Sequence, residues 1–320
     1  MLTPDGETEL FSIVAGFLQG DTLAPYLFAI VLDYAMRQAV GGKENELGFE
    51  LERRKSSRHP AVSISDLDFA DDIALLSENV EQAQLLLTQL EVEAAKVGLH
   101  LNGKKTKVMT YNQPGQVNIT TRNGDSLEIV ENFKYLGSWM ESTEKDFEIR
   151  KALAWSSCHK LKKIWNSTLS RRIKVKLFIA TVESVLLYGC AAWTVTKTLE
   201  KRINGCYTRM LRMALGVSWK QKLTNEQLYQ ELPPVISKVT DRRLKLAGHC
   251  IRHPELSASS LVLWEPTKGK ARVGKPNITY IDNLRSDLGV EEVKEIRTAM
   301  NNRVKWRGLS RLVRAGARPK

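Results

Sequence analysis

Val62-Ser63-Ile64-Ser65-Asp66-Leu67-Asp68-Phe69-Ala70-Asp71-Asp72-Ile73-Ala74-Leu75-Leu76-Ser77 sets two short apolar arms around a central Phe-Ala-Asp-Asp. Val62, Ile64 and Leu67 on one side and Ile73, Leu75 and Leu76 on the other suit two short strands of a hairpin. The turn between them then carries Asp71 and Asp72, with Asp66 and Asp68 close by. Adjacent carboxylates repel one another unless a cation neutralises them. Hard oxygen ligands of this kind suit Mg²⁺, which commonly takes one or two carboxylates together with substrate phosphates. A solvated Asp-rich turn is the plainer reading of such a pair. Apolar arms on both sides argue against it, because a turn in open solvent is rarely framed by two buried segments.

Outward from this stretch, the 320 residues are 42% hydrophobic and 26% charged, a globular composition with room for about two domains. No run of eighteen apolar residues suggests a membrane span. The N-terminus, Met1-Leu-Thr-Pro-Asp5-Gly-Glu7-Thr-Glu9, lacks the basic and apolar regions of a secretory signal. Cys158, Cys190, Cys206 and Cys250 form no CxxC pair and read as free thiols. An intracellular protein, nuclear or cytoplasmic, without membrane partners is therefore expected. The net charge of +12 conceals an asymmetry. Residues 1–149 hold 13 Lys and Arg against 24 Asp and Glu, whereas residues 150–320 hold 35 against 12. The second half points to a polyanion, bound through phosphate contacts and counterion release.

In chain order, Ser12 to Pro25 is a Gly-containing turn segment leading into an apolar run, Tyr26 to Met36. Asp21 or Thr22 can cap a helix there, with Leu27, Ile30, Val31 and Tyr34 as its apolar stripe. Residues 41–61 read as an exposed loop. Asn79 caps a helix to about Val97, burying Ala83, Leu86, Leu87, Leu90 and Ala94, and Gly98 closes it. Leu99 to Tyr111 is a turn entering a strand. A small antiparallel set is expected over 117–136, turning at Asn123-Gly124, with Phe133 to Gly137 as a further strand. Beyond Glu144 long basic helices are expected at 144–166, 172–189, 198–215, 236–253, 277–287 and 301–315. Lys268-Gly-Lys270-Ala-Arg272-Val-Gly-Lys275-Pro276 is a basic Gly/Pro loop between them. Arg171, Arg172, Arg242, Arg243, Lys268, Lys270, Arg272 and Lys275 are the candidate phosphate contacts. The seven tryptophans are interleaved with Lys and Arg, which allows base stacking, although buried helix packing is the commoner use of such aromatics. His249, Cys250 and His253 lie within five residues, but no other cysteine is spaced to complete a zinc finger.

Phe69-Ala-Asp71-Asp72 between apolar arms resembles the [FY]-A-D-D motif of reverse transcriptases from non-LTR (LINE-type) retrotransposons. Three neighbouring blocks resemble that family in the same order. Gly16-Phe-Leu-Gln19-Gly20 to Phe28 is similar to its QG…P…LF block. Gly98-Leu-His-Leu-Asn102-Gly-Lys104-Lys105-Thr106-Lys107 is similar to its GL-N-KTK block, and Phe133-Lys-Tyr135-Leu136-Gly137 to its YLG strand at the primer grip. Leu244 to Arg252, Arg272 to Pro276, Asp287-Leu-Gly289 and Asn302 to Trp306 extend the likeness more loosely to the tail. The resemblance implies an RNA template, a DNA primer or target and dNTP substrates, with Mg²⁺, or Mn²⁺ in its place, held by Asp71. Asp72 would support that site by charge or an outer contact. It implies Gln19, Gly20 and Phe69 at nucleotide and template, and Lys105 near the triphosphate, with Lys104 and Lys107 close enough to substitute. It further implies Lys107 and Tyr135-Leu136-Gly137 along the nucleic acid.

The family carries another metal-binding Asp well upstream of its Gln-Gly block. Only Asp5 precedes Gln19 here, beside Gly6 and outside any apolar strand. The expectation is the C-terminal part of a reverse transcriptase, without fingers or first catalytic Asp and so inactive alone. A retrotransposon-derived RNA- or DNA-binding protein without catalysis is the alternative. The fold expected is α+β: a partial palm at 1–140, with a small antiparallel sheet and helices, then a helical thumb at 141–235 and a basic helical region at 236–320.

Overall fold

Asn79 begins the helix that anchors the first half. Its side-chain oxygen accepts from the Gln82 amide at 2.8 Å, which satisfies one of the amide groups left open at a helix start. In the computed structural model, which describes residues 2–3, 6–7, 21–54, 56–58, 60–111, 115–140, 142–230, 232–265 and 278–314, this helix runs Val80–Lys96. We label it α2, after α1 at Ala24–Val40. Leu86, Leu87, Leu90 and Ala94 are its buried face, as the spacing predicts. Gly98, at φ +77°, takes the left-handed backbone that ends it.

The chain forms two compact units: Met1–Val108 with Asn112–Ile129, and Met109–Tyr111 with Val130–Lys320. The first is α+β, with strands in pairs. Strand β1 (Phe49–Glu52) pairs antiparallel with β2 (Val62–Ile64), and β3 (Asp66–Phe69) with β4 (Asp72–Leu75). The loop expected at 41–61 thus contains a strand, because Leu51 alternates inward and is buried. Gly48 lets it start, since a Cβ there would stand 2.8 Å from the Ile64 carbonyl oxygen. Val62–Ile64, expected to form one arm with Leu67, pairs with β1 instead, so the acidic hairpin is β3–β4 alone. Met36, Ala39, Val40 and Leu47 pack with Leu86 and Leu90, and Ile73 and Leu75 of β4 lie against them.

The turn at Asn123-Gly124 is present, with Gly124 at φ +86° and Thr121 N–H donating to Asp125 O at 2.9 Å. Gln84 of α2 reads the backbone of this hairpin twice, donating to Thr120 O and accepting from Thr120 N–H, both at 2.8 Å. The neighbouring pair, β5 (Lys107–Val108) with β6 (Glu128–Ile129), is parallel and not antiparallel as expected.

Helix α1 corrects another expectation. Its buried residues are Leu32, Ala35, Met36, Ala39 and Val40, whereas Ile30 is 65% exposed and Leu27 and Tyr34 face outward too. Both faces are apolar, and periodicity alone does not say which one meets α2.

The second unit is helical after a short hairpin of β7 (Lys134–Tyr135) and β8 (Ser138–Trp139). Its helices are α3 (Thr143–Lys160), α4 (Arg171–Phe178), α5 (Lys197–Ala214), α6 (Val235–Arg252), α7 (Tyr280–Leu288), α8 (Val293–Asn301) and α9 (Arg303–Arg314). A π-helical stretch, Ile179–Glu183, continues α4. One core gathers Phe147, Trp165, Phe178, Leu199, Tyr207 and Met210. A second gathers Leu244, Leu284, Ile296, Met300 and Trp306. Gly248 exists for the second, since a Cβ there would collide with the Trp306 indole, whose N–H donates to Leu244 O at 2.9 Å. The four cysteines are free and buried. Among the described residues no helix is long and apolar enough to cross a membrane.

The core of the first unit predicts unequal responses on two helices. Leu86→Ala should cost about 2–5 kcal/mol in denaturant unfolding of the full chain. Ile30→Ala should stay within about 0.5 kcal/mol, as an exposed position does. A large loss at Ile30 would mean that this face is packed in solution.

A carboxylate hairpin and a pinned left-handed turn

Cross-strand register decides what each acidic side chain of the hairpin meets. Asp66 pairs with Leu75, Leu67 with Ala74, Asp68 with Ile73 and Phe69 with Asp72. Directly opposed residues project to the same face, so Asp66 and Asp68 share the face of Ile73 and Leu75, the side chains that meet the core. Phe69 and Asp72 share the other face and are exposed. Asp71 lies in the two-residue turn with Ala70, also exposed.

The two pairs of carboxylates therefore live differently. Asp68 keeps an exposed edge, yet its carboxyl is pushed up to about 6, first by partial burial, then by the charge and hydrogen bond of Asp66 and the charge of Asp33 on α1. Ser65 Oγ donates to Asp66 Oδ1 at 2.5 Å. Ala70 holds φ +55°, left-handed backbone in a residue with a Cβ. That conformation costs about 1–2 kcal/mol. Strain of this kind persists where surrounding structure enforces it, often at functional turns.

The donors of the turn suit a divalent cation in part. Asp71 and Asp72 supply the one or two carboxylates that Mg²⁺ takes from protein when phosphates complete its shell. Among the described residues no group of three or more His, Cys, Asp or Glu is placed to hold a metal ion by itself. The fit is to a shared site, completed by substrate oxygens.

The lysine block is a compact loop. Asn102 O accepts from Lys105 N–H at 3.0 Å, Thr106 N–H at 2.9 Å and Thr106 Oγ1 at 3.0 Å, and Asn102 Oδ1 accepts from Lys105 N–H at 3.2 Å. This accounts for Asn and Thr at that spacing: they close a turn that leaves Lys104 and Lys105 exposed. An open hollow of about 810 Å³ is lined by His100, Asn102, Lys104, Lys107, Asp125 and Glu128. Lys105, the lysine preferred from sequence, is not among the lining residues. Lys107 Nζ is ion-paired with Glu128 at 2.5 Å.

In the second unit, Tyr135-Leu136-Gly137 ends in a left-handed turn, with Leu136 at φ +47° and Gly137 at φ +85°. Four side chains outside the expected site pin it. Tyr188 Oη donates to Leu136 O at 2.8 Å, and Arg150 donates to Gly137 O. The Arg150 guanidinium lies 4.3 Å from the centre of the Tyr188 ring. Asp146, only 2% exposed, pairs with Arg150 at 3.6 Å and accepts from Trp139 N–H at 3.1 Å and Trp193 Nε1 at 2.8 Å. A Cβ at Gly189 would strike Ser138 Oγ, so that glycine lets the chain pass close behind the turn. The i, i+4 spacing of Asp146 and Arg150 is visible in sequence, but it reads as an ordinary surface pair on a helix.

The arginines separate as well. Arg172 is exposed. Arg171 donates to Leu228 O at 2.6 Å and Arg242 to Leu187 O at 2.8 Å, so both are turned toward backbone. Arg243 is 2% exposed and paired with Asp287 at 2.5 Å. It is a buried ion pair of the fold, not the phosphate contact expected of it. Gln19, Gly20, Lys268, Lys270, Arg272 and Lys275 lie outside the described residues. His249, Cys250 and His253 are not gathered into a group of the kind that could hold a metal ion: Cys250 is buried and His253 Nδ1 is 2.8 Å from Glu255 Oε1.

Residues 2–140, which contain the hairpin, the lysine loop and the Leu136–Gly137 turn, match the reverse transcriptase (RNA-dependent DNA polymerase) family. A Pol polyprotein from the type-1 retrotransposable element R2 of Bradysia coprophila is 30% identical over 112 residues, 35% of this chain and 12% of that polyprotein. These residues are thus similar to the reverse transcriptases of non-LTR retrotransposons. A transposon-derived protein of Caenorhabditis elegans is similar over more of its length, 28% identical over 240 residues, 71% of this chain and 86% of that one. No solved structure gives a significant match. Within this reverse transcriptase relative, the four ordered blocks read from sequence fall inside the matched span.

Asp68 and Asp146 each carry a prediction. Asp68 is raised in the folded state, so folding favours its protonated form. Stability is then lost as pH rises from below the unfolded value of 3.8 through about 6. Asp68→Asn should raise Tm at pH 7, with the gain vanishing below about pH 4; a gain independent of pH would refute the assignment. Asp146→Ala leaves Arg150 buried without its carboxylate and should cost about 3–5 kcal/mol by calorimetry.

Proposed function

We propose that this chain forms part of an RNA-directed DNA polymerase. It would contribute the carboxylate hairpin, the lysine loop and a basic helical surface for template and primer. The observation that carries the reading is the hairpin register, which turns Asp71 and Asp72 away from the core at a strained turn. Asp71 would hold the divalent cation, Mg²⁺ or Mn²⁺, with Asp72 in support, and Phe69 would offer a ring beside the primer end. When bound, the cations supply activation of the primer 3′-hydroxyl and neutralisation of charge on the departing pyrophosphate. Lys104 and Lys107 would add positive charge toward a triphosphate, with Lys105 exposed on the same loop. Leu136-Gly137 would meet the nucleic-acid backbone, its shape fixed by Asp146, Arg150 and Tyr188.

These 320 residues taken by themselves would bind nucleic acid without extending a primer. The Asp71–Asp72 turn by itself supplies too few oxygen ligands to hold two cations in the geometry that phosphoryl transfer depends on. The second reading, a retrotransposon-derived RNA- or DNA-binding protein without catalysis, rests on that same feature and on the cation-rich second half.

One experiment tests the nucleic-acid reading and the incompleteness of the cation site together. With an RNA template, DNA primer, dNTPs and Mg²⁺, the purified chain should give no extension beyond an Asp71→Ala control. It should still bind RNA, losing about 20-fold in affinity between 50 and 200 mM salt if some three phosphates are neutralised. Extension abolished by Asp71→Ala would show that the chain completes its own cation site. Salt-insensitive binding, or none, would remove the nucleic-acid reading.

A further inference from the structure

Tryptophan is the side chain whose burial releases the most apolar surface, and this fold buries three of its seven and half-buries three more. Trp165, Trp193 and Trp306 are core residues. Trp219 is the opposite case, 85% exposed. It stands on a short 3₁₀ turn, Trp219–Gln221, between α5 and a helical turn at Asn225–Tyr229.

The turn is held from both sides. Ser218 N–H donates to Gln221 Oε1 at 3.2 Å, and Lys220 N–H donates to Ser218 Oγ at 3.1 Å. Lys222 N–H returns to Trp219 O at 3.2 Å, with Lys222 in left-handed backbone at φ +49°. Arg212 of α5 donates to Leu223 O at 2.7 Å and to Asn225 Oδ1 at 3.1 Å, tying the far end to the helix. The indole is thus presented by an ordered backbone, so a ligand that meets it orders little else. Preorganisation of this kind lowers the entropic cost of binding.

The chain through the turn is cationic between Glu200 and Glu226. From Lys201 to Asn225 the chain holds six Lys and Arg and no Asp or Glu. Lys220 and Lys222, on either side of Gln221, are both exposed. An aromatic face followed by cations matches a single strand, where bases stack on rings and lysines follow the phosphates. A protein partner would also use a tryptophan anchor, but an interface centre is depleted in lysine, and this turn carries Lys220 and is followed by Lys222.

We propose that Trp219 is a base-stacking platform for single-stranded nucleic acid, with Lys220 and Lys222 on the adjoining phosphates. The inference rests on the nucleic-acid reading above and adds to it a site, a residue and a class of ligand: unpaired bases.

The test compares a fluorescently labelled, unstructured RNA oligonucleotide with an abasic oligonucleotide of equal length and charge. Anisotropy is read over a salt series with the full chain. Trp219→Ala should weaken binding of the base-bearing strand about 5- to 150-fold, the range of one base–aromatic stack, with the salt slope unchanged. The loss should vanish on the abasic strand, and Trp219→Phe, which keeps a ring, should recover most of the affinity. Lys220→Ala and Lys222→Ala should each lower the slope by about 0.7. Affinity within twofold of the unsubstituted chain for Trp219→Ala, or an equal loss on both strands, would overturn the stacking site and leave general nucleic-acid binding standing. Failure of the unsubstituted chain to bind either strand would overturn both.

Discussion

Phe69 and Asp72 oppose one another across a two-residue turn, and the chemistry available to the hairpin follows from that register. A shift of one residue would exchange the two faces of each strand. Asp71 and Asp72 would change places relative to the core, and Ile73 and Leu75 would lose their contact with the cluster around Leu86. The register is held by that contact on one side and by the turn on the other. Ala70 completes the turn only by accepting left-handed backbone. A glycine would take that conformation without steric cost, so the alanine implies that packing of β4 more than offsets it.

The same register leaves an electrostatic cost unrelieved. Asp66 and Asp68 are on the face of β3 shared with the core-facing residues of β4, and Asp33 of α1 adds its charge. Partial burial raises the Asp68 carboxyl first, and the repulsion of its acidic neighbours adds to it. In the second unit comparable burial is handled by pairing. Asp146 meets Arg150, Glu183 meets Lys238 at 2.5 Å with Tyr207 Oη donating to the same oxygen at 2.7 Å, and Asp287 meets Arg243. Burial raises the Asp287 carboxyl while Arg243 draws it back. One unit tolerates clustered acids at a turn built to expose two of them; the other neutralises each acid that it buries.

The parts of the fold that were legible in sequence are those written locally. Asn79 and Gly98 bound α2, Asn123-Gly124 makes its turn, and Phe69 to Asp72 makes the hairpin, each through contacts between near neighbours. What was illegible depends on partners distant in sequence. The stripe of Leu27, Ile30 and Tyr34 and the face of Leu32, Met36 and Val40 both repeat at helical spacing, and only the position of α2 selects the second. Val62–Ile64 has the composition of a strand, but nothing local says that it joins 49–52 instead of the acidic arm. Arg242 and Arg243 are adjacent cations in sequence, yet the helix sends them in different directions, one to a backbone carbonyl and one into the core beside Asp287. The network behind Leu136-Gly137 was equally hidden, since Tyr188 and Trp193 are about 50 residues away from the turn they support.

Pairing acids in the interior has a consequence at the surface. A buried ion pair removes one charge of each sign, so the net charge is unaltered. Residues 150–320 hold only 12 acids against 35 cations, however, and each acid taken inside raises the ratio of cations to anions that solvent meets. Glu183 and Asp287 are removed in this way, and from Lys201 to Asn225 there was no acid to remove. A phosphate backbone reads local charge within about a Debye length of 8 Å, not the sum over the chain. Single-sign stretches with a rigid aromatic in their midst are therefore more informative about the partner than the overall +12. They mark where released counterions and a stacked base would act on the same strand.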